Sequence, residues 1–137
     1  MSTVKIWMNG SLVPEPDAKL PVNSAAVFYA TNVLEGIRAY WNPADEELYC
    51  FRLAEHFARI RESMKMMRFT VPYTDDDLHA AVREVLSGNQ FREDIHMHLV
   101  AYVAGVGLDA TEPTGLYINP RRRARVNDEG IRCCVSS

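Results

Sequence analysis

The sequence contains no apolar run approaching the roughly 20 residues needed to cross a bilayer, and no charged-then-apolar segment opens it. A membrane partner and a secretory leader are therefore not expected, and a cytoplasmic location is. Cysteine is sparse: Cys50, Cys133 and Cys134 are an odd number in no metal-ligand spacing, which argues against a disulfide framework and predicts buried free thiols. There is no basic excess, since the formal net charge is −3, and this excludes a general nucleic-acid binder. The phosphate loop GxxxxGK[ST], the GxSxG elbow and the HExxH pair are all absent, so the commonest nucleotide, serine-nucleophile and metalloprotease chemistries have no anchor.

What remains is a globular composition, 47% hydrophobic and 24% charged over 137 residues, enough chain for one domain with a packed core. No repeat, low-complexity tract or linker interrupts it. Lys5 to Met8, then Asn9-Gly10, then Leu12-Val13 predicts an antiparallel hairpin, because Asn-Gly supplies the positive φ angles of a type I′ turn. Ser24 is placed to cap a short helical turn through Tyr29. Leu34 to Trp41 and Glu47 to Phe51 read as strands about the turn Asn42-Pro43. Leu53, Phe57, Ile60, Met64 and Met67 fall at spacings of four and three and make one apolar helical stripe. A second helix is expected from Thr74, with Asp75, Asp76 and Asp77 at the positive end of its dipole, Leu78, Val82 and Val85 inward and Gly88 as the stop. Ile95 to Val103, Leu116 to Ile118 and Ile131 to Val135 complete the set of apolar runs. This order predicts an α+β domain, a small antiparallel sheet with two main helices.

Several residues have chemistry to offer. Arg59 lies on the flank of the first long helix, where its planar fork suits a phosphate or carboxylate. The plainer reading is an i,i+4 pair with Glu55. His96 and His98 alternate along a strand and so share a face, but with no third ligand in evidence a metal is not supported. A polar, hydrogen-bonded sheet surface and a substrate contact both remain open. Tyr29 reads as a packing tyrosine and His56 as a helix-flank residue. The basic run Arg121 to Arg125 reads as a solvated turn or ion-pairing segment.

The stretch VFYATNVLEGIRAY, Val27 to Tyr40, resembles the "YGxxVFEGIRxY" segment of class IV (fold-type IV) pyridoxal-phosphate aminotransferases, most of all the branched-chain amino-acid type. FRLAEHFARI, Phe51 to Ile60, is similar to the helix that follows it in that family, and Lys65 to Phe69 is similar to that helix's end. The opening Ile6 to Gly10, the loop Glu112 to Gly115 and the closing Val135 to Ser137 also match, so the resemblance covers nearly the whole chain as an amino-terminal domain spanning 1–137.

The resemblance implies that Arg59 holds the phosphate of pyridoxal 5'-phosphate and that Tyr29, Leu34, Gly36 and Arg38 line the substrate side, with Gly36 leaving room beside the backbone. It implies a homodimer in which the loop Gly107 to Ala110 reaches the neighbouring subunit's pocket, putting Ala110 among the substrate contacts. His96 and His98 stand where the bacterial enzymes carry a tyrosine and an arginine. The arginines from 121 onward replace an aromatic, glycine-containing loop and would offer a carboxylate-binding charge from a different position. The implied reaction transfers an amino group between a branched-chain or similar amino acid and a 2-oxo acid such as 2-oxoglutarate.

In the family, the cofactor-bearing lysine, the carboxylate facing the pyridine nitrogen and the phosphate-binding turns all follow the motif that ends at Ser137. Lys5, Lys19 and Lys65 are not placed to be desolvated and activated. The expectation is a chain without catalytic residues of its own, lacking the carboxyl-terminal domain, weak or absent in cofactor binding and inactive by itself. Half of a split enzyme and a non-catalytic binding domain are the alternatives.

Overall fold

The computed structural model describes residues 3–122 and 133–134. Among them six strands form one antiparallel sheet in the order β2-β1-β6-β5-β3-β4. The strands are β1 (Lys5–Met8), β2 (Ser11–Pro14), β3 (Asn32–Asn42), β4 (Glu47–Cys50), β5 (Ile95–Val103) and β6 (Thr114–Arg122), and the helices are α1 (Ala25–Phe28), α2 (Leu53–Met66) and α3 (Asp75–Asn89). The α+β expectation holds.

The Asn9-Gly10 turn has φ of 50° and 98° at its two residues, which is what a type I′ hairpin demands of them. Both long helices pack on one sheet face. Phe57, Ile60 and Met64 of α2 and Leu78, Ala81, Val82 and Val85 of α3 are buried there against Ile37, Ala39, Ile95, Met97, Leu99, Leu116 and Ile118. Thr74 and Asp77 close a reciprocal capping box: the Asp77 N–H donates to the Thr74 hydroxyl at 3.2 Å and the Thr74 N–H to the Asp77 carboxylate at 2.8 Å.

The structure corrects the reading in several places. Helix α3 runs past Gly88, because the Asn89 amide ties the last turn to the backbone of Lys5 on β1, at 2.8 and 2.9 Å; Gln90 takes the left-handed position instead. The Ser24 hydroxyl does not cap α1. It is buried with no hydrogen-bond partner among the described residues, while the Ser24 carbonyl accepts from Val27 and Phe28. Met67 leaves the α2 stripe and is exposed, since the helix ends one residue earlier.

Strand β6 is three times the expected length and includes Arg121 and Arg122, so these two lie in a strand instead of a turn, while Arg122 bears out the ion-pairing alternative by meeting Glu93 at 3.3 Å. Pro120 is tolerated there because the pairing of β6 with β1 ends at Ile118, leaving Pro120 opposite Met97 of β5 only. Cys133 and Cys134 are exposed, not buried as expected; Cys50 is half-buried, and burial pushes its thiol up. The rest of the expected last strand and Arg123 to Arg125 fall outside the described residues. No described helix is long and apolar enough to cross a membrane.

Phe57 is buried and meets the His79 ring edge-on at 5.0 Å. Phe57→Ala is expected to cost about 3–5 kcal/mol by chemical denaturation. A loss below about 1 kcal/mol would show that α2 does not pack as described.

Candidate functional site

Strand β3 is the axis of the site. Its residues alternate between two environments: Glu35, Ile37 and Ala39 face the helices, while Leu34, Gly36 and Arg38 face the other way. On one side β3 pairs with β5 from Asn32 to Ala39, but on the other β4 covers only Ala39 to Asn42. Among the described residues no strand flanks Leu34 to Arg38 on that side. The Arg38 carbonyl points toward β4, accepting from the Phe51 N–H at 2.9 Å, whereas the Trp41 N–H points the opposite way to Asp94 at 3.0 Å. Alternation then directs the backbone N–H and C=O of Leu34 and Gly36 to the open edge.

A buried carboxylate stands beside that edge. Glu35 is 4% exposed and takes Arg59 bidentately, Nε to Oε1 at 2.7 Å and Nη2 to Oε2 at 2.5 Å. His56 Nδ1 lies 2.8 Å from Glu35 Oε2 and 3.2 Å from Arg59 Nη2, and the tautomer protonated at Nδ1 donates to the carboxylate. His56 and Arg59 are one turn apart on α2, so one helical face delivers both donors. The Arg59 guanidinium beside it holds the Glu35 carboxyl below its ordinary value despite the upward push of burial, with the His56 hydrogen bond adding to the pull. Arg59 is in turn pushed up by Glu35.

The alternative Glu55–Arg59 pair does not form, since Glu55 is taken by Arg52 at 2.9 Å. Neither Glu35 nor the role of His56 was singled out from sequence; the only available signal was a charged residue at a helix-facing position of an otherwise apolar strand.

The Arg59 side chain is nevertheless 65% exposed and lines an open cleft of about 220 Å³ with Phe51, Arg52, Glu55 and His56. Of its five N–H donors, Glu35 uses one on Nε and one on Nη2, which leaves the outer edge, Nη1 with the second Nη2 hydrogen, as a fork for an anion. The residues present therefore fit a phosphate held at Arg59.

The other expected residues divide into two groups. Leu34, Gly36, Arg38, His96 and His98 come together on the sheet face away from the helices. The His96 and His98 rings meet edge-on at 4.6 Å, and Arg38 lies over the Tyr40 ring at 5.5 Å. A Cβ on Gly36 would stand 2.8 Å from His96 Nε2, so the missing side chain at Gly36 leaves room for the His96 ring. Tyr29 and Ala110 lie apart from these, toward the Asn32 end of β3. Tyr29 is the C-terminal cap of α1, and α1 joins the loop after β5 through the Ala25 N–H to the Gly105 carbonyl, 2.7 Å. Ala110 itself packs on the core; Val106 and Leu108 are the exposed apolar residues of that loop.

This open-edged sheet backed by two helices is the amino-terminal domain of the fold-type IV aminotransferases. The crystal structure of a branched-chain aminotransferase from Thermoproteus uzoniensis with norvaline superimposes at a TM-score of 0.84 with 38% identity, over 90% of this chain and 42% of that one. The branched-chain amino acid aminotransferase of Thermobaculum terrenum in its pyridoxal-phosphate form gives 0.79 and 28%, over 90% and 41%. In sequence, a probable branched-chain-amino-acid aminotransferase of Aquifex aeolicus is 30% identical over 136 residues, 96% of this chain and 44% of that protein. No family model matches. The chain is similar along nearly its whole length to the amino-terminal part of branched-chain aminotransferases. It spans less than half the length of the relatives it matches.

Because the Glu35 carboxyl is held below its ordinary value in the fold, its pairing stabilises the protein fully above the unfolded value of about 4.3. That contribution is lost as pH falls through the lower folded value. Glu35→Gln is expected to be less stable than wild type at neutral pH and to show a flatter decline of stability below about pH 4.3. Parallel pH profiles for the two proteins would dissociate Glu35 from the ion pair.

Proposed function

We propose that this chain forms the phosphate-side wall of a pyridoxal-phosphate transaminase site that moves an amino group between a branched-chain or similar amino acid and a 2-oxo acid. The observation that carries the reading is the Arg59 fork, locked by buried Glu35 and still open outward beside the stretch of β3 that no described strand flanks. When bound, pyridoxal phosphate supplies an electron sink for negative charge at the substrate Cα.

The work of this chain's residues is binding and placement. Arg59 grips the phosphate, and Glu35 and His56 fix the guanidinium so that little side-chain freedom is lost on binding. The edge N–H groups of Leu34 and Gly36 offer hydrogen bonds to ligand oxygens. Leu34, 56% exposed, presents an apolar surface to a branched side chain and excludes water from it. His96, admitted by Gly36, and His98 bring imidazoles to the neighbouring surface.

Lys5 and Lys19 lie on the hairpin and the following loop, and Lys65 is 79% exposed beside Glu62, so none adjoins the Arg59 cleft. The lysine and the remaining cofactor contacts are assigned to the part of the relatives that this sequence does not cover. The exposed Phe28, Tyr29, Leu34, Phe51, Val106 and Leu108 are the apolar surface such a part, and a second copy in a homodimer, would cover.

Titrating pyridoxal phosphate into isotope-labelled chain is expected to shift the Arg59 Nε–H resonance, and Arg59→Gln is expected to weaken binding at least about tenfold, as loss of a bidentate charged contact predicts. Unchanged affinity in Arg59→Gln would overturn the phosphate assignment. Borohydride treatment of the mixture followed by peptide mass mapping is expected to mark none of the three lysines selectively. Stoichiometric labelling of one would place the covalent site in this chain.

A further inference from the structure

The permanent charges around the Arg59 cleft cancel among themselves. Glu35 and Arg59 form one ion pair, and Arg52 and Glu55, at 2.9 Å, form another. Arg52, Glu55, His56 and Arg59 line the cleft with Phe51, and Glu35 of β3 stands behind it. On the helix-facing side β4 adds Cys50, whose thiol burial holds in its neutral form. A phosphate monoester is a dianion above about pH 6. Seated on the outer edge of Arg59, it brings negative charge to a cleft whose two ion pairs sum to zero.

His56 is the group here able to change that sum near neutral pH. One of its nitrogens is already committed, since Nδ1 faces Glu35 Oε2 at 2.8 Å and carries the proton of the neutral ring. Nε2 then holds a lone pair. The two nitrogens of an imidazole point in divergent directions, so Nε2 is turned away from Glu35, and among the described residues it has no hydrogen-bond partner. The ring belongs to the cleft wall and the side chain is 15% exposed, which gives a solvent proton access to it.

Distance makes the coupling strong. Arg59 Nη2, an atom of the outer fork, lies 3.2 Å from His56 Nδ1. A phosphate oxygen hydrogen-bonded to that atom stands within about 6 Å of the imidazole, the range in which an opposite charge favours the ionised form of a neighbour. In the free cleft the charges of Glu35 and Arg59 act on the ring in opposite directions; a phosphate adds negative charge with no matching positive one. Hydrogen bonding acts with the same sign as charge. A lone pair on Nε2 repels an anion, whereas a proton there offers it a donor.

We infer that His56 supplies the charge that balances the phosphate: as the phosphate seats on Arg59, His56 Nε2 takes one proton from solvent and the ring becomes an imidazolium. This rests on the phosphate reading of Arg59 above, and it gives His56 a part in binding beyond holding the guanidinium.

The test titrates the full 137-residue chain with phenyl phosphate, which has no aldehyde to react with lysine, while NMR follows the His56 ring nitrogens and the Arg59 Nε–H. At pH 8 the probe is a dianion and an ordinary histidine is neutral. Saturation is then expected to move His56 Nε2 from the neutral to the protonated signal. The dissociation constant should rise at least about threefold between pH 7 and pH 8, about tenfold being the limit for one linked proton. His56→Gln keeps an amide donor for Glu35 but cannot gain charge, so its binding should be weaker and equal at the two pH values. The wild-type ring signals decide the question without the variant. An imidazolium already present at pH 8 before phosphate is added, a ring still neutral at saturation, or an unchanged pH dependence in His56→Gln would overturn the inference. With the Arg59 response intact, each of these removes only the role of His56; no response at Arg59 removes the phosphate reading and this inference with it.

Discussion

Burying an unpaired carboxylate costs several kcal/mol, and a β-strand that places one toward its own hydrophobic layer must compensate it within the fold. Glu35 is that carboxylate, and the site depends on how it is compensated. Helix α2 crosses the sheet at a position where one face delivers Arg59 and His56 to the same two oxygens. The pairing fixes the helix relative to β3 and sets the direction in which the remaining edge of the guanidinium points. An arginine held only by solvent would spread its charge over many rotamers; one clamped from behind presents a single fork.

The open edge of β3 is the second constraint. Strand edges normally invite unwanted pairing, and here β4 stops opposite Ala39, leaving Leu34 to Arg38 uncovered on that side among the described residues. The stretch is short, and the Arg59 cleft stands beside it. The same strand therefore serves two surfaces. Its odd-numbered side chains anchor the core and the guanidinium, while its even-numbered ones join the histidine and arginine rows of β5 and β6. Gly36 links the two, since any side chain there would displace the His96 ring.

Much of the fold was legible in local patterns. Asn9-Gly10 specified its hairpin because two positive φ angles are an intrinsic property of those residues. The spacing of Phe57, Ile60 and Met64 specified the buried face of α2 because helical period is local. Less legible was anything decided by a distant partner: Gly88 looked like a stop until Asn89 was seen tied to Lys5, and Ser24 looked like a side-chain cap although its hydroxyl is enclosed. The run of charge from Arg121 suggested a turn or an ion-pairing segment, yet Arg121 and Arg122 continue β6 opposite His96 and Ile95 of β5.

The sequence by itself determined the α+β order of elements and the resemblance to branched-chain aminotransferases, since periodicity, turn chemistry and motif residues all act over a few neighbours. Only the tertiary structure decided that Arg59 pairs with Glu35 instead of Glu55, that His56 completes the clamp, and that Arg38, His96 and Arg121 form one row. The physical reason is that register and helix placement follow from summed packing over the whole sheet, and a contact between residues 24 or 25 positions apart has no signature in either segment alone.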